Sequence, residues 1–525
     1  MNSQNKIRSV NNLSREQLKG KLIFIRVDFN VPMVAPSQGH YRVADDTRIR
    51  RFLDMTFKKI HTLTDGDCKI IIGSHLGRPH IRKDHSGWDG IFNIQFVSSH
   101  FDTLIRQRYG DAYTIFPPEI VGSQLKHSLE LIREHQLPIG GIKFLPNLRY
   151  LLDPENPEIY RQEFIEILAA VSDVYINCAF GTSHRLTKSI KLLPEIMRKQ
   201  GKLAVGGGLL IEEISQLGKL GRKILKHPEK TLVVTGGAKI SDKIGILKQF
   251  VNSQIGRIFV GGKMTNAFSI ARSLEKTNES LSFAHIPQKL LSANETENQM
   301  FLKEIKLARE INDLADKNDI VIQLPMDFKI VKEYQQTTYK IKKIFDLNEE
   351  LQLDLGPETI QSFSNLVLKD GIENIFWNGP LGAYDHPHCS AYAEGSMELA
   401  KLLFCSSMVN PNLSVVIGGG DTAAILNKFK NEELKDLLRD NIQKQLPSSI
   451  NRSLLEIDFK YGDSYTLFNN FASNFFVSTG GGASLEFMEG FLKDQGKSSL
   501  ASYLPGTTTL LEDDRKINSQ VALKA

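Results

Sequence analysis

The stretch Leu22-Ile-Phe-Ile-Arg-Val27, followed at once by Asp28-Phe-Asn30, decides the fold that the sequence predicts. A short apolar, β-branched run that stops in polar residues and leads into a helical pattern is typical of a βα unit. Its recurrence predicts an α/β protein with two doubly wound parallel sheets, Rossmann-like, with helices on both faces. The other predicted strands are Lys69–Ile72, Ile142–Phe144, Val174–Ile176, Leu232–Val234, Arg257–Val260, Ile320–Gln323, Asn374–Trp377, Val415–Ile417 and Phe475–Val477.

The domain boundaries follow from length and from glycines. A chain of 525 residues predicts roughly two to four compact units. The stretch Leu192–Gly208 reads as a helical piece that ends in three glycines, and glycines absorb backbone rotation, so we expect a hinge there. We therefore expect a first domain at residues 1–200, a second at residues 201–480 and a C-terminal segment at residues 481–525. Additions to the repeated unit are expected near 80–118, near 270–300 and at Asn431–Asn470, where an amphipathic helix is predicted.

The composition excludes several classes of protein. With 41% hydrophobic and 24% charged residues, the chain is an ordinary globular protein and not a disordered one. A net charge of +5 over this length is too dilute to indicate nucleic-acid binding. The four cysteines are widely separated, which fits a reducing compartment, and no membrane span or signal peptide is evident. We expect a cytoplasmic monomer without nucleic-acid or membrane partners.

Cationic and hydrogen-bonding side chains follow the predicted strands of the first half. Ligands of doubly wound sheets bind beyond the carboxyl ends of the strands, so these side chains are expected to converge. A lone arginine is usually a surface residue, but several at strand ends are better explained by recognition of carboxylate or phosphate. The first half is therefore predicted to bind a small polyanion through Arg48, His75, Arg78, Arg149 and Arg185.

Glycines follow the predicted strands of the second half, as in Gly236-Gly237, Gly261-Gly262 and Gly418-Gly-Gly420. Glycine lets backbone N–H groups approach phosphates at helix N-termini, which predicts a nucleotide site. Lys239 and Lys243 are four residues apart, so in a helix that begins near Ser241 both side chains would point toward the phosphates of the nucleotide. The alternative is that the two lysines lie on a solvent-exposed face of the helix.

Asp421 is the most informative carboxylate of the second half. An aspartate after a glycine turn at a strand end can reach a magnesium ion held by phosphates, because Mg²⁺ takes few protein carboxylates. The alternative is that Asp421 is a plain helix N-cap. Thr422 would either cap the following helix or contact a phosphate.

Other enzyme classes lack their motifs. The chain contains no GxxxxGK[ST] and no GxGxxG with a downstream acidic partner, so Walker-type NTPases and nicotinamide dehydrogenases are disfavoured. It also contains no GxSxG and no HExxH, which leaves hydrolytic chemistry without support.

Taken in order, the strand ends resemble those of the phosphoglycerate kinase family. The resemblance runs from about residue 8 to about residue 510. It is carried by Arg26-Val-Asp-Phe-Asn-Val-Pro32, Ser74-His-Leu-Gly-Arg-Pro79, Asn147-Leu-Arg149, Ala179-Phe-Gly-Thr-Ser-His-Arg185, Gly236-Gly-Ala-Lys-Ile-Ser-Asp-Lys243, Leu324-Pro-Met-Asp-Phe328, Asp354-Leu-Gly-Pro357, Trp377-Asn-Gly-Pro380, Gly418-Gly-Gly-Asp-Thr422 and Val477-Ser-Thr-Gly-Gly-Gly-Ala-Ser484.

The resemblance implies reversible phosphoryl transfer between 1,3-bisphosphoglycerate and MgADP, giving 3-phosphoglycerate and MgATP. It implies that the C-terminal segment packs back on the first domain. The implied catalytic residues are Arg48, Lys239 and Gly420. The implied substrate-binding residues are Asp28, Phe29, Asn30, Arg48, His75, Leu76, Gly77, Arg78, Arg149 and Arg185. The implied nucleotide-binding residues are Lys239, Lys243, Gly262, Gln352, Asn378, Asp385, Gly418, Gly419, Gly420, Asp421 and Thr422, with Asp385 on the ribose and Asp421 on Mg²⁺.

The chain departs from the family pattern at several positions. Cys178 stands where an aspartate is usual, which removes a carboxylate beside Arg185, and Asp385 replaces a usual glutamate. Lys263 and Gln352 occupy positions near the purine that are often small, so the base preference is open. The competing hypothesis is a weakened or moonlighting scaffold on the same fold, since fold alone does not establish activity.

Overall fold

The computed structural model of the protein describes residues 7–35, 41–79, 90–118, 137–149, 157–237, 239–277, 281–283, 286–343, 350–369, 371–426 and 474–511. The chain divides into two compact units. The first comprises Met1–Ser215 with Ser498–Ala525, and the second comprises Gln216–Lys497. These limits lie beyond the predicted boundaries near residues 200 and 480, so the region after 480 is shared between the two units.

The first unit is built on a parallel sheet, which in the described residues has six strands in the order β5-β6-β4-β1-β7-β8. Every residue of the central strand β1 is buried. Because alternate side chains of a strand point to opposite faces, both faces of this sheet are covered, as predicted. The strands are β1 (Leu22–Arg26), β4 (Lys69–Gly73), β5 (Thr114–Phe116), β6 (Gly141–Phe144), β7 (Val174–Asn177) and β8 (Leu203–Gly206), with a separate antiparallel pair β2 (Met33–Val34) and β3 (Arg42–Val43).

Helices and a returning C-terminal segment complete the first unit. A π-helical segment, Leu53–Phe57, joins the first two α-helices, and it lies just after the helix that carries Arg48. The helices are α1 (Thr47–Phe52), α2 (Lys58–Thr64), α3 (Gln95–Tyr109), α4 (Pro157–Val171), α5 (Leu192–Lys199), α6 (Gly208–Lys226), which continues into the second unit, and α14 (Pro505–Thr508). Short 3₁₀ helices are Val10–Asn12, Gly90–Phe92, Gly110–Ala112, Phe180–Thr182 and Leu500–Tyr503.

The C-terminal segment packs on the first unit within the described residues. The Gly506 N–H donates to the Ser183 carbonyl at 2.8 Å, and the Arg8 N–H donates to the Leu510 carbonyl at 2.9 Å. These contacts join the segment to the loop after β7 and to the N-terminus of the chain.

The stretch 90–118 is an integral part of the first unit, so the prediction of an addition there is wrong for those residues. Phe101 of α3 lies in the core, 5.9 Å from the Phe29 ring, and β5 pairs in parallel with β6 at the edge of the sheet. The strand was missed because it has three residues, none of them buried. Residues 80–89 lie outside the described residues.

The stretch Leu192–Gly208 contains a strand as well as a helix, so the prediction of one helical piece is wrong. Residues Leu203–Gly206 form β8, which pairs with β7. The following glycines are packed closely: a Cβ at Gly207 would lie 2.1 Å from Cys178 Sγ, and one at Gly208 would lie 2.3 Å from the Met55 carbonyl oxygen. Glycine is therefore required here for close approach, and this packing speaks against a loose hinge at these residues.

The second unit is also built on a parallel sheet, with strand order β11-β10-β9-β15-β16-β17 in the described residues. All residues of β9, β15 and β16 are buried, which again indicates that both faces are covered. The strands are β9 (Thr231–Thr235), β10 (Arg257–Val260), β11 (Val321–Gln323), β15 (Asn374–Asn378), β16 (Ser414–Gly418) and β17 (Phe475–Ser478).

A three-stranded antiparallel sheet, which the sequence did not predict, follows β11. It has the order β13-β12-β14, with strands β12 (Asp327–Val331), β13 (Lys340–Lys343) and β14 (Leu351–Leu355). The helices of this unit are α7 (Ile244–Asn252), α8 (Met264–Thr277), α9 (Glu295–Lys317), α10 (Pro357–Lys369), α11 (Glu394–Val409), α12 (Gly420–Leu426) and α13 (Gly482–Lys493), with 3₁₀ helices at Pro228–Lys230, Gln288–Leu290 and Ser390–Ala393.

Two of the predicted additions lie in this unit. The stretch near 270–300 includes the end of α8 and the start of α9, which pack against each other, so an addition there is limited to the residues between these helices. Asn431–Asn470, with its predicted amphipathic helix, lies outside the described residues. Among the helices of the described residues, none is both long and apolar enough to cross a membrane.

Candidate active site

Asp28, Arg48 and His75 lie together at the carboxyl ends of β1 and β4, as the sequence predicted. Arg48 Nη1 lies 2.7 Å from Asp28 Oδ2, and His75 Nδ1 lies 3.9 Å from Asp28 Oδ1. Burial opposes ionisation of Asp28, but the nearby positive charges, that of Arg48 first among them, still hold its pKa below the usual value. The carboxylate therefore fixes the position of the Arg48 guanidinium group.

His75 is neutral at physiological pH. Its side chain is 8% exposed, and Arg26 Nη2 lies 3.5 Å from its Nδ1. Burial and, to a smaller extent, the nearby arginines lower the pKa of His75 to about 3, against the opposing effect of Asp28. His75 therefore offers a hydrogen-bonding imidazole to an anionic ligand, without a positive charge of its own.

This burial predicts a pH-dependent stability of the protein. The unfolded chain protonates His75 below about pH 6.5, whereas the folded chain resists protonation down to about pH 3. The unfolded state then binds more protons, so the free energy of unfolding should fall by about 2 kcal/mol from pH 7 to pH 5 through this residue. Urea denaturation at several pH values measures it. His75→Gln should remove most of this slope, and an equal slope in both proteins would contradict the assignment.

Asn30, Gly77 and Arg149 form the next part of the site. The Gly77 N–H donates to Asn30 Oδ1 at 2.7 Å, and Arg149 Nη1 donates to the Gly77 carbonyl. Gly77 has φ of +57°, and a Cβ there would lie 2.0 Å from Phe92 Cε1. A side chain is therefore excluded at residue 77, which lets the backbone lie between the two predicted ligand-binding side chains.

A cavity of about 590 Å³ opens beside these residues in the first unit. Arg78, Arg149 and Arg185 line it, and burial together with the charges of Arg185 and Arg78 lowers the pKa of Arg149. No aspartate or glutamate occurs among the described residues that line it. Several positive charges on one cavity, with no carboxylate among its described lining residues, indicate a site for a small polyanion. The other lining residues are Arg26, His75, Pro79, Leu148, Phe164, Ile165, Thr182, Leu186, Thr187, Lys188 and Ser189.

Phe29 and Leu76 do not present their side chains to this cavity. Both are buried in the core, where Phe29 packs against Phe52 at 5.5 Å. Their backbones hold the loops instead: the Phe29 N–H donates to Ser74 Oγ at 2.9 Å, and the Leu76 N–H donates to Asn147 Oδ1 at 3.2 Å. A direct side-chain role in substrate binding is therefore disfavoured, because both side chains are buried in the core.

Arg26 and Asn147 belong to the motifs that carry the family resemblance, but the sequence did not predict a role for them in the site. Arg26 is buried, donates to Ser189 Oγ at 3.3 Å and lines the cavity. Asn147 holds Leu76 through both its amide oxygen and its amide nitrogen. The sequence could have indicated Arg26, because it is a charged residue at the end of the apolar run Leu22–Arg26. Lys188 also lines the cavity, but no sequence pattern indicated it.

The glycine-bounded strand ends of the second unit are joined by their backbones. The Gly236 N–H donates to the Asn378 carbonyl at 3.0 Å, and the Gly262 N–H donates to the Leu381 carbonyl at 3.2 Å. Gly262, Gly379 and Gly419 have positive φ values of 64°, 97° and 108°. Residues with side chains rarely adopt this backbone conformation, so these three turns require glycine.

Lys243 and Asn378 tie these turns together. Lys243 Nζ donates to the carbonyls of Gly236 and Asn378, the second at 2.9 Å. Asn378 Nδ2 donates to the Gly418 carbonyl at 3.0 Å. Much of the hydrogen-bonding capacity of Lys243 therefore stabilises the loops, and its ammonium charge stays next to the predicted phosphate site.

The expectation of a helix starting near Ser241 is wrong, because α7 begins at Ile244. Glu304 of α9 accepts hydrogen bonds from the Ile240 and Ser241 N–H groups, the second at 3.0 Å. The segment before the helix is a turn, in which the Lys243 N–H donates to the Ile240 carbonyl at 2.8 Å. Lys239, which precedes the loop, is exposed.

Asp421 lies in the first turn of α12, directly after β16 and the turn at Gly419. The adjacent Thr422 is buried, and its Oγ1 accepts a hydrogen bond from the Gly379 N–H at 2.8 Å. Thr422 therefore bridges two strand ends. The described residues contain no group of three or more His, Cys, Asp and Glu side chains that could hold a metal ion alone. One carboxylate at the predicted phosphate-binding edge matches the chemistry of Mg²⁺, which takes few protein carboxylates and completes its shell with phosphate oxygens and water.

Gln352 and Asp385 lie on neighbouring parts of the second unit. The Ala383 N–H donates to the Leu353 carbonyl at 2.7 Å, which joins the turn that carries Asp385 to strand β14 that carries Gln352. Asp385 is exposed, and Gln352 Oε1 is buried without a hydrogen-bond partner among the described residues. The predicted ribose and purine contacts therefore lie on connected elements.

Cys178, a departure from the family pattern, is a core residue. Its Sγ lies 3.5 Å from Thr56 Oγ1, and burial raises the pKa of the thiol to about 12. Cys178 is therefore an uncharged packing residue against Gly207, and it carries no negative charge into the site.

A polyanion cavity on one α/β unit and glycine turns at the strand ends of another are the arrangement of a kinase that holds acceptor and nucleotide on separate units. Comparisons with known proteins narrow this class of kinase to one family. The sequence profile of the family described as Phosphoglycerate kinase matches residues 13–437. The chain therefore belongs to the phosphoglycerate kinase family, whose members transfer a phosphoryl group to a carboxyl group.

Curated relatives and solved structures agree with this assignment. The chain is 29% identical to the phosphoglycerate kinase of Dictyoglomus turgidum, over 92% of this chain and 96% of the relative. It is 30% identical to that of Chlamydia pneumoniae, over 96% and 98%. The crystal structure of the Pyrococcus horikoshii phosphoglycerate kinase has a similar fold, with a TM-score of 0.62 at 22% identity, covering 94% of this chain and 96% of that chain.

Proposed function

We propose that the first unit binds 3-phosphoglycerate or 1,3-bisphosphoglycerate in its cationic cavity, and that the second binds ADP or ATP at its glycine turns. The observation that supports this most is the cavity lined by Arg78, Arg149 and Arg185 with no carboxylate among its described lining residues. A ligand with several negative charges supplies the missing counter-charge.

Asp28, Arg48 and His75 would act together at the reacting end of the phosphoglycerate. Asp28 holds the Arg48 guanidinium at 2.7 Å, and neutral His75 would donate or accept one hydrogen bond. A carboxylate already is a competent nucleophile, so no general base is needed, and catalysis consists of positioning and charge stabilisation. Arg48 would supply positive charge to the migrating phosphoryl group.

Lys239, Gly420 and the neighbouring turns would provide the nucleotide side of the reaction. Lys239 is exposed at the edge of the glycine turns and would reach the transferring phosphoryl group. Backbone N–H groups at Gly418–Gly420 would bind phosphate oxygens, because glycine allows their close approach. Asp385 would bind the ribose, and Gln352 would contact the purine.

Asp421 would hold Mg²⁺ together with the phosphate oxygens of the nucleotide. The bound ion supplies neutralisation of the charge on the β- and γ-phosphates. None of the four cysteines, all of which lie within the described residues, forms a disulfide, which agrees with a reducing compartment, and we propose a monomeric cytoplasmic enzyme.

Transfer requires that acceptor and nucleotide meet, so we also propose closure of the two units. A ligand shifts a conformational equilibrium only through its differential affinity for the two states. Only the ternary complex contacts both units, and small-angle scattering should show the smallest radius of gyration there. An identical radius for the apo protein, both binary complexes and the ternary complex would argue against closure.

A coupled assay of ATP-dependent phosphorylation of 3-phosphoglycerate tests the proposed function. We expect turnover that requires both Mg²⁺ and 3-phosphoglycerate. A folded protein that binds both ligands by calorimetry yet shows no turnover would instead support the scaffold hypothesis.

A further inference from the structure

A buried ion pair lies inside the second unit, away from the residues assigned above. Lys329 of β12 has a side chain that is 5% exposed, and its Nζ lies 3.4 Å from Oδ2 of Asp354 on β14, which is fully buried. Burying two charges is costly, and the cost is recovered only when their geometry and hydrogen bonds are good. A buried ion pair of this kind is therefore weak evidence for a favourable contribution to the free energy of folding. Its effect can lie instead in the arrangement of the surrounding elements.

The ammonium group of Lys329 joins several elements at one point. Besides Asp354, it donates to the Ala391 carbonyl at 2.7 Å and to Glu394 Oε2 at 2.5 Å. It also lies 5.2 Å from the centroid of the Tyr339 ring. One positive charge therefore connects β12 and β14 to the 3₁₀ helix Ser390–Ala393 and to the start of α11.

The Asp354 carboxyl group receives the backbone of the same elements. The Gly395 N–H donates to Asp354 Oδ2 at 2.7 Å. A Cβ at Gly382 would lie 2.3 Å from Asp354 Oδ1, and one at Gly395 would lie 2.7 Å from it. Glycines at both positions let the turn after β15 and the start of α11 pack directly on this carboxyl group.

These elements carry the predicted base and ribose contacts. Gln352 precedes Asp354 by two residues on β14, and the strand has a β-bulge here, because Asp354 pairs with Lys329 while Gln352 pairs with the next residue, Ile330. Asp385 lies in the turn that begins at Gly382, and the Ala383 N–H donates to the Leu353 carbonyl. A change at the ion pair therefore moves the two predicted contacts with the nucleoside together.

We propose that Lys329 and Asp354 are positioning residues that hold Gln352 and the Asp385 turn in the geometry that binds the nucleoside of ADP and ATP. The inference rests on the proposed function, because it takes Gln352 and Asp385 as nucleotide-binding residues. Neither Lys329 nor Asp354 needs to touch the ligand. Their effect is confined to the second unit, so binding of phosphoglycerate is unaffected.

The test compares Lys329→Met, Asp354→Asn and the double variant with the unchanged protein in the coupled assay. Each single variant should raise the KM for ATP about tenfold, with kcat and the KM for 3-phosphoglycerate little changed. The double variant should be no worse than either single variant, because the two residues act as one unit. Lys342→Met on the neighbouring strand β13, where Lys342 pairs with Glu350 at 2.6 Å, is the matched control and should behave as the unchanged protein.

The pH profile separates positioning from mere structural support. Burial raises the pKa of Asp354 to about 7, and the facing groups are Lys329, Glu394 and Tyr339. In the unchanged protein, the KM for ATP should fall as the pH rises from 6 to 8, because Asp354 ionises and the ion pair forms. In Asp354→Asn this pH-dependent fall in the KM should be absent. An unchanged KM for ATP in Lys329→Met overturns the inference, as do equal changes in both KM values.

Two further variants keep the outcome clear. If Lys329→Met does not fold, Glu394→Gln takes its place, because this substitution removes one partner of Lys329. If the KM for ATP of Glu394→Gln then equals that of the unchanged protein, the inference is overturned. Asp385→Ala tests the proposed function on its own. If Asp385→Ala leaves the KM for ATP unchanged, the nucleoside assignment fails; if it raises that KM while Lys329→Met does not, only the positioning role fails.

Discussion

Replacing Arg48 with alanine should lower kcat by about 10³-fold, while the KM for 3-phosphoglycerate changes by less than about tenfold. The guanidinium group is held by Asp28 at 2.7 Å and is 22% exposed, so it is prepared to meet charge that develops during transfer. Interactions made only in the transition state appear in kcat, whereas uniform binding appears in KM. Steady-state kinetics with each substrate varied in turn measures the effect.

Arg106→Ala is the matched control for this prediction. Arg106 lies in the same unit, on α3, and pairs with Asp102 at 3.0 Å on a half-exposed surface. Its replacement should leave both constants within about twofold, because exposed ion pairs contribute little. An Arg48→Ala enzyme with unchanged kcat would remove Arg48 from the catalytic residues.

Replacing Asp421 with alanine should weaken MgADP binding by at least about 100-fold and leave binding of metal-free ADP nearly unchanged. Asp421 lies at the start of α12 after the Gly419 turn, where a carboxylate can reach a metal held by phosphates. Calorimetric titration with ADP, with and without Mg²⁺, measures both affinities. The circular dichroism spectrum should not change, because Asp421 lies in the first turn of α12, where alanine is compatible with the helix.

Asp316→Ala provides the comparison for this variant. Asp316 is an exposed carboxylate of α9 in the same unit, and its loss should not alter MgADP binding. If Asp421→Ala binds MgADP as tightly as Asp316→Ala does, Asp421 is only a residue of the first turn of α12 and not a metal ligand.

The order of the βα units could be read from the sequence because buried parallel strands are nearly continuous apolar runs. The run Leu22–Val27 contains strand β1, which ends at Arg26. The run Arg257–Val260 forms strand β10, and both ends of this strand are the predicted ones. Strands without such a run were missed. Strand β13 consists of Lys340–Lys343 and is largely exposed, so no apolar pattern marked it. Strand β8 follows a helical stretch and ends in glycine, which hid it.

The sequence by itself determined the chemistry at the strand ends. Arginines and His75 follow the strands of one half and glycines follow those of the other, and the parallel topology brings each set to one edge of its sheet. Local pattern sufficed here, because the position of a residue relative to its own strand is a local property.

Only the tertiary structure decided the charge of His75, the role of the glycines after β8 and the pairing of Lys329 with Asp354. His75 is neutral because remote segments bury it, and Gly207 is required because Cys178 lies against it. Lys329 and Asp354 are separated by 25 residues and meet only when β12 pairs with β14. A pKa or a close contact depends on neighbours from distant parts of the chain, and a single sequence carries no record of which distant parts come together.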